Sequence, residues 1–351
     1  MNAEFFAAVE DIEKEKGIPR DYMYEKIQQA LLAAFRKDNP DFGENVEVIC
    51  DEEKKRIDLI VHMTVVEQVE DPTLEIDVES AKKYSKKAAP GDELSIPVET
   101  KQFGRIAAQA AKQVIIQGIR EAERGIIYDE FNNKQHEALM GVVSRIDPRT
   151  GAAAMHIGQG AEATEALLAR SEQIPGEAMT EGKRMRVYVV EVRRSTRGVQ
   201  VLVSRSHPGL VRRLFELEVP EIFDGTVEIR GIAREAGSRT KIAVYSSDPE
   251  IDPIGACVGP RGARVAEIIK ELGGEKLDIV EYSETPETYI SNALAPAQVI
   301  SVTMLGDGKS CRVIVPESQL SLAIGREGQN ARLAAKLTGC KIDIKSDASP
   351  D

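Results

Sequence analysis

Two short glycine turns, Gly259-Pro260-Arg261-Gly262 and Gly325-Arg326-Glu327-Gly328, are the residues of this chain best placed to do chemistry. That chemistry is contact with a phosphate backbone, not bond making. Glycine at both ends lets a main chain turn tightly and come close to another backbone, which a Cβ would obstruct. The turns share one spacing, since 325 − 259 = 66 and 328 − 262 = 66. Each follows a short apolar stretch and opens an amphipathic helix that carries basic or amide side chains, Arg264 in the first copy and Gln329, Asn330 and Arg332 in the second. Glu327 departs from an ideal phosphate cradle, because an acid repels the backbone unless it points away.

Other patterns imitate nucleotide sites and fail. Gly306-Asp307-Gly308-Lys309-Ser310 ends like a P-loop, but the motif needs glycine at 303, where Thr303 stands, so Asp-Gly reads as a hairpin turn. Gly158-Gln159-Gly160 with Ala163 mimics a dinucleotide fingerprint without the βαβ series that gives it meaning. The four histidines, His62, His136, His156 and His207, are scattered without metal-ligand spacing, and no GxSxG occurs. Catalytic residues, a metal and a cofactor are therefore not expected. Cys50, Cys257, Cys311 and Cys340 lie far apart with no CxxC, which reads as reduced interior thiols.

The elements that must position the turns repeat with them. A helix from Leu210 to Glu218, strands near 226–230 and 240–245, helices 253–258 and 263–272 and a strand 277–282 form one unit of order αββααβ. A second unit follows over 288–345 in the same order. A lone GxxG is usually a turn between helices. Duplicated in this context, it marks a KH module, whose loop clamps the backbone of about four unpaired nucleotides beside a groove for the bases. By resemblance to KH modules, Pro260, Arg261, Arg326 and Glu327 would sit at phosphates, Arg264, Gln329, Asn330 and Arg332 beside them are also expected to contact RNA, and Ile254, Val258 and Ile324 would form floor or core.

Upstream, 138–206 reads as short strands, 141–146, 152–157, 185–192 and 199–204, which suggests a five-stranded OB barrel. Its opening Gly141-Val142-Val143 and closing Leu202-Val203-Ser204-Arg205-Ser206 resemble an S1-type module, but the face where such modules place stacking aromatics is poor, with Met155 and His156 there, so the barrel is expected to bind mainly through charge. Residues 1–133 read as a helical hairpin, a small α+β domain and a connecting helix from Phe103 to about Phe131. The whole is expected to be a multidomain α+β protein, divided at 1–133, 134–206, 207–283 and 284–351.

Charge follows this division. The net charge of −12 opposes nucleic-acid binding only as a sum. Residues 1–133 hold 18 basic and 28 acidic side chains, a net of −10, so the remainder is close to balanced. Between 183 and 213 stand nine basic residues and one acid, Glu191. Arg184, Arg186, Arg193, Arg194 and Arg197 are the barrel cations expected to meet phosphate, and the reading of that segment also takes in Lys183, Arg205, Arg212 and Arg213. The acidic start has no signal-peptide pattern and no apolar run spans a bilayer, so a cytoplasmic protein without a membrane role is expected.

The full order resembles the NusA family of bacterial transcription elongation and termination factors over essentially the whole chain. The most telling stretches are Asp252 to Val265, Ala323 to Leu333, Pro220-Glu221-Ile222 and Lys112 to Arg124. The resemblance implies prokaryotic-type (type II) KH modules and docking of the N-terminal domain on RNA polymerase. The barrel and KH modules would hold single-stranded nascent RNA. Pausing, intrinsic termination and antitermination would be modulated beside other elongation and antitermination factors, with the protein acting as a monomer. An RNA-binding module of the translation or RNA-decay machinery is the alternative, although the decay enzymes with such units carry large catalytic domains for which this chain has no room.

Overall fold

The computed structural model describes residues 2–97, 101–158, 163–195, 198–306 and 308–348, with side chains except at 2–5, 15, 16, 38, 101–111, 114 and 115. It divides into two compact units, 1–126 and 127–351.

In the first unit, helices α1 (Asn2–Lys16) and α2 (Arg20–Asp38) form the hairpin the sequence implies, turned at Gly17-Ile18-Pro19. Strands β1 (Val46–Asp51) and β2 (Arg56–Val66) pair antiparallel, Val46 opposite Val61. Short β3 (Glu75–Asp77), helix α3 (Val78–Ala81) and β4 (Glu93–Pro97) complete the sheet edge. The alternation of β1 sends Val46 and Val48 onto Ile27, Leu31 and Phe35 of α2. A second core joins Phe6 and Val9 to Ile18, Met23 and Tyr24, with Ile119 and Ala122 of α4 (Lys101–Asn133) packed against it. Tyr22 donates to Glu121 at 3.0 Å beside that core.

The second unit begins with a closed barrel, β5 (Ala138–Ile146), β6 (Ala153–Ile157), β7 (Thr164–Leu168), β9 (Gly198–Ser204) and β8 (Arg184–Ser195) in that order around the ring. Strand β7 was not legible in the sequence, and between β7 and β8 lies one 3-10 turn, Arg170–Glu172. Phe131 from the end of α4 is fully buried among the barrel side chains. Met155 also points into that core while His156 faces solvent, so only the second of the two sits on the outer face.

Two copies of one layout follow. The first holds α5 (Pro208–Glu218), α6 (Pro220–Phe223), β10 (Val227–Glu235), β11 (Arg239–Ser246), α7 (Pro253–Val258), α8 (Ala263–Glu271) and β12 (Lys276–Glu281). The second holds α9 (Pro286–Ala293), β13 (Ser301–Met304), β14 (Ser310–Val315), α10 (Leu320–Ile324), α11 (Gln329–Thr338) and β15 (Lys341–Ser346). In each, the middle strand pairs antiparallel with the strand before it and parallel with the one after. Strands β13 and β14 pair antiparallel with Met304 opposite Cys311, as the hairpin reading of Gly306 to Ser310 implied, with Asp307 itself outside the described residues.

Strand β11 explains why the copies pack together. Its Ile242 and Val244 face the helices of the first copy, and Ala243 on the opposite face meets Val280, Tyr289 and Leu337. Each fully buried aliphatic side chain of this kind stabilises by roughly 1.5–3 kcal/mol. Lys241 is fully buried on that second face, where its ammonium donates to Asp278 at 3.0 Å and to the carbonyl of Ala295 at 2.7 Å. Burial lowers the Lys241 pKa, and the Asp278 carboxylate opposes that shift.

Among the described residues, no helix is long and apolar enough to cross a membrane. All four cysteines are free. Burial pushes the Cys257 thiol up to about 12 and that of Cys311 to about 11, which keeps both protonated and poorly nucleophilic.

Candidate nucleic-acid interface

The two glycine turns are copies at the level of the backbone. Gly259 and Gly325 have φ, ψ of 73°, 175° and 76°, 170°. Arg261 and Glu327 stand at 54°, 26° and 53°, 26°, and Gly262 and Gly328 at 76°, 16° and 73°, 16°. In both, the last glycine amide donates to the first glycine carbonyl at 3.1 Å. Helix α7 enters the first turn from a capped start, where Asp252 accepts from the Ile254 amide at 3.0 Å ahead of Pro253.

The glycines do different work. A Cβ on Gly259 would lie 2.6 Å from Cγ of Arg264, and one on Gly325 would lie 2.8 Å from the Asn330 backbone nitrogen. The first glycine is therefore required by the protein itself. A Cβ on Gly262 would meet nothing nearer than Val265 at 4.0 Å, and one on Gly328 nothing within 4 Å. The last glycine keeps clear a space that the protein leaves open. The second inner residue, Arg261 or Glu327, also adopts positive φ, which costs a non-glycine residue about 1–2 kcal/mol and marks a turn whose shape its surroundings impose.

Arg264 and Asn330 occupy the same place in the two copies and act beneath the turn. Arg264 donates to the Ala256 carbonyl at 2.7 Å and to Glu221 at 2.8 Å. The Asn330 amide donates to the carbonyls of Leu294, Ala323 and Leu322 at 3.0, 3.1 and 3.4 Å, while its buried carbonyl oxygen has no hydrogen-bond partner. Both side chains tie the helix before the turn to the helix after it.

The second turn is also held from the first module. Gln329 donates to Ser238 at 2.7 Å and Glu235 at 2.9 Å, and Arg332 donates to Glu235 at 2.6 Å and to the Glu327 carbonyl at 3.1 Å. Pro260, Arg261, Arg326 and Glu327 are left at the exposed tips, Arg326 and Glu327 with side chains 92% and 83% accessible. Glu327 lies 3.7 Å from Arg326. Ile254 and Val258 are half-buried, whereas Ile324 is exposed beside the second turn.

The barrel cations divide. Arg184 is exposed, and Arg186 is half-buried with its amide donating to Glu271 at 2.9 Å. Arg193 pairs with Glu191 at 2.5 Å, and Arg194 lies over the Tyr128 ring at 4.3 Å. Arg197 lies outside the described residues. Arg205, grouped with these cations by sequence, is instead 1% exposed: it pairs with Glu177 at 2.6 Å and Glu271 at 2.8 Å and donates to the Arg186 carbonyl. It joins the barrel to the first KH module and faces no solvent. Sequence reading missed Glu235, Ser238 and Glu271, whose partners lie on other modules, and Glu177, which meets Arg205 from 28 positions away; none shares a local motif with its partner.

Fold and turns together define the class: a multidomain α+β protein with an OB-type barrel and tandem KH modules. Comparison with known proteins narrows this. The NusA N-terminal domain matches residues 4–125, the NusA-like first KH domain 205–282 and the NusA-like second KH domain 286–351. The transcription termination/antitermination protein NusA of Halalkalibacterium halodurans is 49% identical, covering 99% of this chain and 89% of that protein. The Bacillus subtilis protein of the same name is 48% identical (99% and 92% covered), and that of Thermus thermophilus 42% identical (98% and 90% covered). The chain belongs to the NusA family.

Proposed function

We propose that this protein modulates transcription by holding RNA polymerase and the emerging transcript at once, biasing pausing, intrinsic termination and antitermination. Residues 1–133 serve as the polymerase-binding part, 134–206 as the barrel, and 207–283 and 284–351 as the two KH modules. The observation that carries this reading is the pair of turns of matching backbone geometry, each with exposed inner residues and open space beside its last glycine. Membership of a family whose proteins are named for transcription termination and antitermination supports it.

The mechanism is positional. Tethering to polymerase raises the local concentration of RNA modules that are individually weak, so an exiting strand is captured without a tight site. Pro260, Arg261, Arg326 and the turn amides meet phosphates, while Arg264, Gln329, Asn330 and Arg332 hold the turns in place. Other elongation or antitermination factors would join on the same RNA. Single-round transcription with purified bacterial polymerase on a template bearing a pause and an intrinsic terminator tests this. Added protein should change pause lifetime and read-through, and the Gly262→Asp/Gly328→Asp protein should change them less. No change at saturating protein would overturn the reading.

A further inference from the structure

The seam between the barrel and the first KH module holds a cleft of 390 Å³ lined by His136, Tyr188, His207, Arg212 and Arg213 among others. Two of the four histidines in the chain meet there, apart from the glycine turns. The His207 ring lies flat on Tyr188, with centroids 4.6 Å apart and planes 6° from parallel. Buried Tyr188 backs one face of the imidazole, while His207 as a residue is exposed, so ring surface that Tyr188 does not cover is open to solvent.

Local hydrogen bonding settles what else His207 offers. Its Nδ1 accepts from the Gly209 amide at 2.9 Å as the cap of α5, which assigns the ring proton to Nε2 and leaves that edge as a donor. Beside it, the Arg212 guanidinium donates to the Ile229 carbonyl at 3.2 Å, and no described carboxylate lies within 4 Å of it. Its neighbour Arg213 is neutralised by Glu137 at 3.0 Å and Glu216 at 2.5 Å. Open aromatic ring surface and an uncompensated cation thus share one cleft. Its volume falls at the small end of ligand pockets, roughly 300–1,000 Å³, which suits a single nucleotide.

We propose that this cleft is a nucleotide subsite, in which a base of single-stranded RNA stacks on the ring surface of His207 that Tyr188 does not cover and an adjoining phosphate meets Arg212. The subsite rests on the RNA-binding reading above and extends the RNA contact beyond the two turns. An acidic peptide would satisfy Arg212 but would leave the stacked ring column unused, whereas every base has a face for it.

The test measures fluorescence anisotropy of a labelled mixed-sequence single-stranded RNA against the full chain. His207→Asn keeps a capping acceptor and removes the ring; Arg212→Gln removes the charge. Each should weaken binding about fivefold or more. Arg212→Gln should also lower the slope of log affinity against log salt by about one. RNA containing 4-thiouridine should crosslink the wild-type chain within 207–213. Wild-type affinity in both variants, in a protein that loses binding with Gly262→Asp/Gly328→Asp, would overturn the subsite and leave the turns standing. Absence of RNA binding by the wild type would remove both. Crosslinks only outside 207–213, or displacement of RNA from the wild type by polyglutamate with no loss in either variant, would also overturn the subsite.

Discussion

Arg332 of the second KH module donates its Nε to a Glu235 oxygen of the first at 2.6 Å, and a second nitrogen of the guanidinium reaches the other Glu235 oxygen at 3.1 Å. Because Arg332 also donates to the Glu327 carbonyl, the outer strand β10 of one module grips the glycine turn of the other. The second turn is therefore shaped partly by the first module.

Replacing Glu235 with Gln should loosen that grip only modestly, since Arg332 is half-exposed and its pairing is screened by water. The Arg332 hydrogen bond holds the Glu235 carboxyl below the usual range. With the folded value depressed, the stabilisation is complete above the ordinary glutamate pKa of about 4.3 and fades as pH falls through the folded value. Hydrogen exchange of amides 328–333 in the full chain should be faster in the variant at pH 7. That difference should vanish in acid as the wild type loses the same contact; equal exchange at pH 7 would sink the idea.

The two kinds of glycine should separate stability from binding. Gly259→Ala and Gly325→Ala force a methyl group within 3 Å of Arg264 or of Asn330 backbone, so each should lower stability by about 1–3 kcal/mol. Gly262→Asp and Gly328→Asp place a side chain in open space at φ of 76° and 73°, a conformation Asp tolerates better than most residues, at about 1 kcal/mol. These variants should melt near the wild type yet bind single-stranded RNA more weakly, because a carboxylate now stands where phosphate approaches. Unchanged RNA affinity in the double Asp variant would remove the turns from the mechanism.

What was legible in the sequence was whatever is local or repeated. The 66-residue spacing exposed both KH copies because glycine spacing and helix periodicity are properties of adjacent residues. Strand β7 was missed because Thr164-Glu165-Ala166-Leu167-Leu168 is short and no more strand-like than helical until β6 and β9 pair with it. The positions of Arg205, Arg264 and Arg332 were not legible either. A charged residue type announces a charge, and whether it meets a phosphate or a carboxylate depends on residues such as Glu177, Glu221 and Glu235, 28 to 97 positions away.

Arg205 gives the sharpest consequence. Arg205→Met leaves the Glu177 carboxylate, only 8% accessible, with Lys183 at 3.3 Å as its remaining cation. Losing one partner of a buried pair costs about 3–5 kcal/mol. The barrel and the first KH module should melt several degrees lower, and Arg205→Met/Glu177→Leu should recover part of the loss. A melting curve for Arg205→Met that overlays the wild type would show that this junction contributes nothing to stability.

The barrel cations make a prediction about salt. Arg184 is exposed and has no described carboxylate within 4 Å, whereas Arg193 must leave Glu191 before it can reach a phosphate and then brings that carboxylate near the RNA. Arg194 is similarly occupied by the Tyr128 ring and lies 3.9 Å from Asp129. Arg184→Gln should therefore lower the slope of log affinity against log salt by about one, and Arg193→Gln by clearly less. Titrations of the full chain with one single-stranded RNA at four salt concentrations separate the two. Equal slopes for both variants would mean that the Glu191 pairing does not restrain Arg193, and a slope unchanged by Arg184→Gln would place the RNA away from this face of the barrel.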